Sequence, residues 1–87
     1  SGDRPPRQKK LKFTYMEQKE FETIDDDIAA LEAKIRETEE EMAGAAKDYV
    51  RLQELDEKRR ELNTQLEEKT ERWVYLNDLA EQIAAQK

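Results

Sequence analysis

The sequence contains no cysteine and no histidine. Without cysteine it can form neither a disulfide framework nor a thiolate metal site. Without histidine it lacks the side chain that most often serves as a general acid or base at neutral pH. These two absences argue against most metal and acid–base chemistry, and we expect no cofactor bound by this chain.

Glycine and proline are scarce, at two residues each, and hydrophobic residues make up only 36% of the 87 residues, against 44% charged. So little apolar material supports one small domain without a large core. Alanine, glutamate, lysine, leucine, arginine and glutamine dominate, a bias typical of long helices in coiled coils. No apolar run approaches the roughly 20 residues that span a bilayer, and the first residues lack a signal-peptide segment. We therefore expect a cytoplasmic location and no membrane partner.

Charge is unevenly distributed along the chain. The formal net charge is −6, yet residues 1–20 carry six cations and three anions, so residues 21–87 carry the excess of negative charge. A net acidic domain argues against indiscriminate binding along a nucleic acid, because like charges repel. A local basic segment can still dock on phosphate.

The N-terminal part predicts an arm followed by a short helix. Residues 1–12 contain Pro5-Pro6 and many charged or amide side chains, which indicates a basic flexible arm or linker. Thr14 and Glu17 fit a capping box, so a helix over about 15–23 should follow. Thr23 with Asp26 could cap a second helix, which predicts a break or kink there.

Heptad spacing predicts two further helices in an antiparallel hairpin. We expect a helix over about 25–43, a tip at about 44–48 around Gly44, and a helix over about 49–85. The chain from residue 13 to residue 87 is thus predicted to be one all-α domain: a short N-terminal helix followed by a two-helix antiparallel coiled-coil hairpin. A homodimeric coiled coil is the alternative, but we expect a monomer. The predicted seam residues are Ile24, Ile28, Leu31, Ile35, Thr38, Met42 and Ala45 on the first arm, and Leu52, Leu55, Arg59, Leu62, Leu66, Lys69, Trp73, Leu76, Ala80 and Ile83 on the second.

Trp73 is the only tryptophan, and so large an aromatic in a polar helix usually needs apolar cover. Pairing the arms about a turn near Ala46 places Phe21 beside it. We therefore predict a structural clamp that joins the first helix to the root of the hairpin. Its members are Phe13, Tyr15, Phe21, Trp73 and Leu76.

The cations allow two interpretations. The segment from Arg4 to Lys19, with aromatic residues interleaved, could be a phosphate-binding arm or only a solubilising linker, and composition alone favours the linker. Acidic residues surround the cluster at residues 58–60, so a salt-bridged face is expected there. Seam position Lys69 should lie near the aspartates at 25–27. Catalysis is not expected, because a helical hairpin offers no concave pocket and the sequence has no phosphate-binding loop.

Two motifs carry a resemblance to a known family. Residues 10–24 read KLKFTYMEQKEFETI, residues 71–76 read ERWVYL, and a heptad hairpin lies between them. Together they resemble the C-terminal domain of ABC-F ATPases of the Uup type, in the form typical of Gram-positive bacteria. The likeness covers about residues 9–83. One departure is Ile24-Asp25, where the family often has Leu-Pro, so the break between the first two helices is softened here.

The resemblance implies a cytoplasmic parent protein with two ATP-binding cassettes, which would hold ATP and magnesium, and which acts on ribosomes. It also implies a C-terminal coiled coil that binds DNA. On that basis we favour nucleic-acid binding, to DNA or ribosomal RNA, through phosphate contacts. The alternative is a docking or spacer hairpin that contacts a ribosomal protein or the parent cassettes. The expected contact residues are Arg7, Lys9, Lys10, Lys12 and Lys19.

Overall fold

Two long helices account for most of the chain in the computed structural model, which describes residues 10–86. Helix α1 spans Tyr15–Gly44 and helix α2 spans Tyr49–Ala85. They pack side by side in opposite directions, and no strand occurs in the described part of the chain. At about 1.5 Å rise per residue the two helices are roughly 45 Å and 55 Å long. The prediction of an all-α helical hairpin is confirmed.

Helix α1 begins with the predicted capping box. The Thr14 hydroxyl accepts a hydrogen bond from the Glu17 backbone N–H at 3.1 Å, and the Glu17 carboxylate accepts one from the Thr14 N–H at 2.9 Å. Both interactions satisfy backbone donors that a helix start leaves without intrahelical partners. The sequence therefore fixes where α1 begins.

The predicted break at residues 23–25 does not exist, and the separate short helix is the first part of α1. Thr23 lies inside the helix, where its hydroxyl donates to the Lys19 and Glu20 carbonyl oxygens at 3.4 Å. No proline or glycine interrupts the segment, so the backbone hydrogen bonds continue. Ile24 is 1% exposed in this arrangement, and a break would uncover it.

The turn between the helices is compact. Helix α1 ends at Gly44, and the Ala45 N–H donates to the Met42 carbonyl at 3.1 Å. The Asp48 N–H donates to the Ala45 carbonyl at 2.9 Å, and the Asp48 carboxylate then caps α2 by accepting from the Arg51 N–H at 3.1 Å. The helix stop near Gly44 and the Asp48 cap agree with the sequence analysis.

The core is the seam between the two helices. Every predicted seam residue except Trp73 is buried or half-buried. Among residues 10–86, Thr38 is the one buried polar side chain, and its hydroxyl donates to the Lys34 carbonyl at 2.8 Å, so its polar atom is satisfied. The buried apolar residues are Ile24, Leu31, Leu55, Leu62 and Leu76.

Two cations occupy seam positions and reach carboxylates at its edge. The Arg59 guanidinium lies 2.7 Å from an Asp56 carboxylate oxygen, within the same helix. The Lys69 ammonium lies 3.6 Å from an Asp27 oxygen across the hairpin, as expected. Their long aliphatic stems cover the core while the charged ends stay at the surface.

Candidate functional site

The basic residues of the predicted site lie at the open end of the hairpin, where the chain enters α1. Lys10, Lys12 and Lys19 are exposed, and none of them forms an ion pair within residues 10–86. The Lys19 ammonium lies 5.6 Å from the centre of the Tyr15 ring, in a cation–π arrangement. The other two predicted contact residues, Arg7 and Lys9, lie outside the described residues.

Gln86 holds the segment that precedes α1 against the end of α2. Its side-chain oxygen accepts from the Leu11 backbone N–H at 2.8 Å, and its side-chain nitrogen donates to the Leu11 carbonyl. This two-point contact joins residues that are far apart in sequence. Because Lys10 and Lys12 flank Leu11, the contact fixes the backbone between them.

The aromatic residues near this end pack differently from the predicted clamp. The Phe13 and Phe21 rings lie 5.0 Å apart at an angle of 31°, so Phe21 has an aromatic partner in the segment that precedes α1. Leu76 is fully buried, whereas Tyr15 is 73% exposed. Of the predicted clamp residues, Phe13 and Phe21 therefore contact each other and Leu76 is buried, whereas Tyr15 lies at the surface.

The expectation that Trp73 would be covered is wrong. Its side chain is 39% exposed, and its indole N–H donates to an Asp25 carboxylate oxygen at 2.8 Å. A tryptophan has a polar edge that needs a partner, and a surface carboxylate on α1 supplies one. Trp73 thus bridges the helices through a polar contact at the border of the seam.

A polar network completes the open end of the hairpin. The Arg72 guanidinium donates two hydrogen bonds to the Glu20 carboxylate, at 2.9 and 2.7 Å, and lies 4.7 Å from the centre of the Tyr75 ring. The Tyr75 hydroxyl donates to the Glu17 carboxylate at 2.5 Å. Glu17 therefore accepts a hydrogen bond from the Thr14 N–H at the start of α1 and another from Tyr75 across the hairpin.

These contacts shift the protonation equilibria of the four side chains. The Thr14 backbone N–H, followed by the Tyr75 hydroxyl, lowers the pKa of Glu17. The hydrogen bonds from Arg72 lower the pKa of Glu20, and the same bonds raise the pKa of Arg72. The hydrogen bond to Glu17 raises the pKa of Tyr75. Each shift favours the charge state that the network needs near neutral pH.

Sequence reasoning missed most of this network. The two acceptors, Glu17 and Glu20, are three residues apart on one face of α1. The two donors, Arg72 and Tyr75, have the same spacing on α2, so an antiparallel register could have predicted that these faces meet. The contact between Gln86 and Leu11 has no sequence signal of its own, since a single glutamine at a helix end is unremarkable in composition.

The described residues contain no group of three or more carboxylates placed to hold a metal ion. Neither α1 nor α2 has a stretch apolar and long enough to cross a membrane. The open end presents the exposed lysines described above, one of which, Lys19, lies beside the exposed Tyr15 ring.

The sequence matches a known protein family over most of its length and is similar to a bacterial protein. Residues 12–78 match the family described as the ABC transporter C-terminal domain. Over 83 residues the chain is 31% identical to YfmR of Bacillus subtilis (strain 168), described as an uncharacterized ABC transporter ATP-binding protein. The aligned part is 95% of this chain but spans only 13% of that relative. Among solved structures, none matches the chain significantly.

Proposed function

This chain belongs to the ABC transporter C-terminal domain family, and from that premise we propose that it is an accessory domain that binds nucleic acid, DNA or ribosomal RNA, through phosphate contacts. The parent would be an ATP-binding protein of the ABC-F, Uup-like type. The relative's description as an ATP-binding protein supports this parent. ATP and magnesium would then bind in cassettes outside this sequence, and this chain itself would catalyse no reaction.

One observation carries the proposal: the lysines at the open end have no carboxylate partner in the described part of the chain. Lys10, Lys12 and Lys19 are exposed there, whereas the nearby cations Lys69 and Arg72 are each paired with a carboxylate of α1. Unpaired cations can neutralise phosphates and release the counterions that surround a nucleic acid. Lysine presents a point charge, so the binding should depend on phosphate and little on base sequence.

The test is a salt titration of binding with the whole chain. A fluorescent DNA duplex and a ribosomal RNA fragment should each bind at 50 mM salt. If about three phosphates are contacted, the affinity at 200 mM salt should be lower by a factor of about 40. The variant Lys10→Glu/Lys12→Glu should weaken binding several-fold. The matched variant Arg36→Glu/Lys47→Glu makes the same charge change on other exposed residues and should have a smaller effect. Absence of binding at low salt, or equal effects of the two variants, rejects the proposal.

A second candidate function is protein docking. Two large apolar side chains at the tip, Tyr49 and Val50, are 72% and 64% exposed, and residues 21–87 are acidic. A hairpin of this kind could contact a ribosomal protein or the parent cassettes. In that case Tyr49→Ser/Val50→Ser should abolish association with the partner, while Lys10→Glu/Lys12→Glu should leave it intact.

A further inference from the structure

Along one flank of the hairpin, one residue of α1 faces one residue of α2 in each heptad. We call this series of facing positions the ladder, and a cross-helix ion pair occupies each of its two ends. Near the tip, the Arg51 guanidinium lies 3.1 Å from a Glu41 oxygen. At the open end, the Arg72 guanidinium lies 2.7 Å from a Glu20 oxygen. The two pairs are separated by three heptads on each helix, so both occupy equivalent positions beside the seam.

The same register places two lysines opposite each other. One heptad from the tip pair, Lys34 on α1 faces Lys58 on α2, where the equivalent positions at both ends of the ladder hold opposite charges. Both lysines line one groove together with Leu62 and Gln65, and neither forms an ion pair in the described part of the chain. Two like charges at facing positions of a coiled coil are less favourable than the arginine–glutamate pairs at the equivalent positions nearer its two ends.

The groove has room for an anion. Its volume is about 460 Å³, many times the ~30 Å³ that one water occupies in the liquid. Its rim also includes Glu37 and Glu61, each three residues from one of the lysines. An oxyanion that lies between the two ammonium groups would gain two charge-assisted contacts and relieve their repulsion.

Two further grooves, which share lining residues with this one and with each other, lie between it and the open end of the hairpin. Lys34 and Gln65 also line the next groove along this flank, together with Asp27 and Lys69. Asp27 and Lys69 in turn share a third groove with Lys19. Lys19 and Lys34 are both on α1, and at about 1.5 Å rise per residue they are roughly 22 Å apart along the helix axis.

We propose that the groove of Lys34 and Lys58 is a second phosphate-binding site, which receives the backbone of a DNA duplex whose other contact is the basic open end. This proposal rests on the proposed function, because it assumes that the open end binds nucleic acid. A duplex suits the two sites because both lie along one flank of the hairpin, and their separation is within one turn, about 34 Å, of B-form DNA. A rigid duplex laid along this flank reaches both without bending.

The decisive experiment compares the salt dependence of DNA binding in the whole chain. Lys34→Gln/Lys58→Gln should weaken binding of a 20-base-pair DNA duplex several-fold and reduce the slope of log affinity against log salt by about 2. Arg36→Gln/Lys47→Gln removes the same net charge from exposed positions outside the groove and should leave the slope close to wild type. Helix content by circular dichroism should be unchanged in both variants.

The melting temperature of a single variant is a second readout, and it would not change in the predicted way if the two lysines only kept the chain soluble. Lys34→Glu places a carboxylate opposite Lys58, so it should raise the melting temperature by about 2–4 °C while it weakens DNA binding. An unchanged or lower melting temperature would contradict the like-charge rung.

The outcomes separate this site from the proposed function. If the wild-type chain binds neither duplex DNA nor the ribosomal RNA fragment at 50 mM salt, both proposals are wrong. If it binds only the ribosomal RNA fragment, the DNA groove site alone is wrong. If it binds, and Lys10→Glu/Lys12→Glu weakens binding while Lys34→Gln/Lys58→Gln behaves like the control, only the groove site is wrong. If an RNA duplex of the same length loses more affinity than DNA in Lys34→Gln/Lys58→Gln, the assignment to DNA is overturned.

Discussion

Arg72 of α2 donates two hydrogen bonds to Glu20 of α1, at 2.9 and 2.7 Å, while its guanidinium lies over the ring of Tyr75. This is the bidentate geometry in which arginine differs most from lysine. The pair joins residues 52 positions apart in sequence, so it forms only when the two helices are in the correct register. The open end of the hairpin therefore depends on a polar contact as well as on the apolar seam.

Arg72→Lys should destabilise the hairpin by about 0.5–1 kcal/mol, because lysine keeps the charge but loses the second hydrogen bond and the stacking on Tyr75. The figure is modest since both side chains are partly exposed to water. Thermal unfolding followed by circular dichroism would measure it. Arg60→Lys is the matched control, because Arg60 pairs with Asp56 within one helix and is 80% exposed; an equal loss there would show that the bidentate pair adds nothing.

The Glu17 and Glu20 network predicts a specific dependence of stability on pH. Their pKa values are lower in the folded chain than the ordinary value near 4.5. Their contribution is therefore present above about pH 4.5 and is lost as the pH falls through the lowered values. Tyr75 has a raised pKa, so its contribution is present below about pH 10 and is lost as the pH rises further.

Glu17→Gln should reduce the fall in melting temperature between pH 5 and pH 3. Glutamine still offers an oxygen to the Thr14 N–H in a capping box, but it has no charge to lose in acid. Melting curves at several pH values would show a flatter profile than wild type. Glu22 is an exposed glutamate five residues further along α1, and its carboxylate accepts from the Gln18 side chain. Glu22→Gln should keep the wild-type profile, and a similar flattening in that variant would show that the network is not the cause.

Leu76→Ala should destabilise the hairpin by about 2–5 kcal/mol, because Leu76 is fully buried beside the open end and its loss leaves a cavity. Val74 provides the comparison on the same helix: its side chain is 47% exposed, and Val74→Ala should cost less than about 0.5 kcal/mol. Urea unfolding at neutral pH would measure both. Equal costs would mean that the apolar contact at the root is not concentrated in Leu76.

The heptad pattern was sufficient to predict the fold because burial at residues such as Ile24 and Leu55 follows directly from spacing along a helix. The capping signals at Thr14 and Asp48 were equally local, and the structure has both caps. The break expected at Thr23 shows the limit of local signals. Threonine followed by aspartates resembles a cap, but the continuing apolar stripe through Ile24 makes an unbroken helix more favourable.

The contacts of the candidate site were harder to predict because they depend on pairs across the hairpin. Trp73 occupies a seam position by spacing, yet its indole N–H turns toward Asp25, which periodicity does not encode. Lys34 and Lys58 could be predicted to face each other only if the register of the two helices were known to within one residue. The sequence therefore predicted the cations near the open end, which are close together in the chain, but not the facing positions of Lys34 and Lys58, which come from two helices.

Gly44→Ala should stabilise the hairpin by about 0.5–1 kcal/mol. Gly44 is the last residue of α1, and no described glycine has a positive φ, so the backbone conformation there is one that alanine adopts without strain. Apart from its chain neighbours and the nearby backbone of α1, no atom of residues 10–86 would lie within 4 Å of a Cβ at this position. The glycine thus contributes only flexibility to the unfolded chain, and alanine removes that flexibility.

Ala43→Gly, one residue earlier in the same turn of helix, is the reverse substitution and should destabilise by up to about 1 kcal/mol. Melting temperatures of the two variants should move in opposite directions from wild type. A lower melting temperature for Gly44→Ala would mean that the turn needs the freedom of glycine at this position. The reversal at Ala45–Asp48 would then depend on Gly44 as well as on the Asp48 cap, and the tip would tolerate substitution less well than its open surroundings indicate.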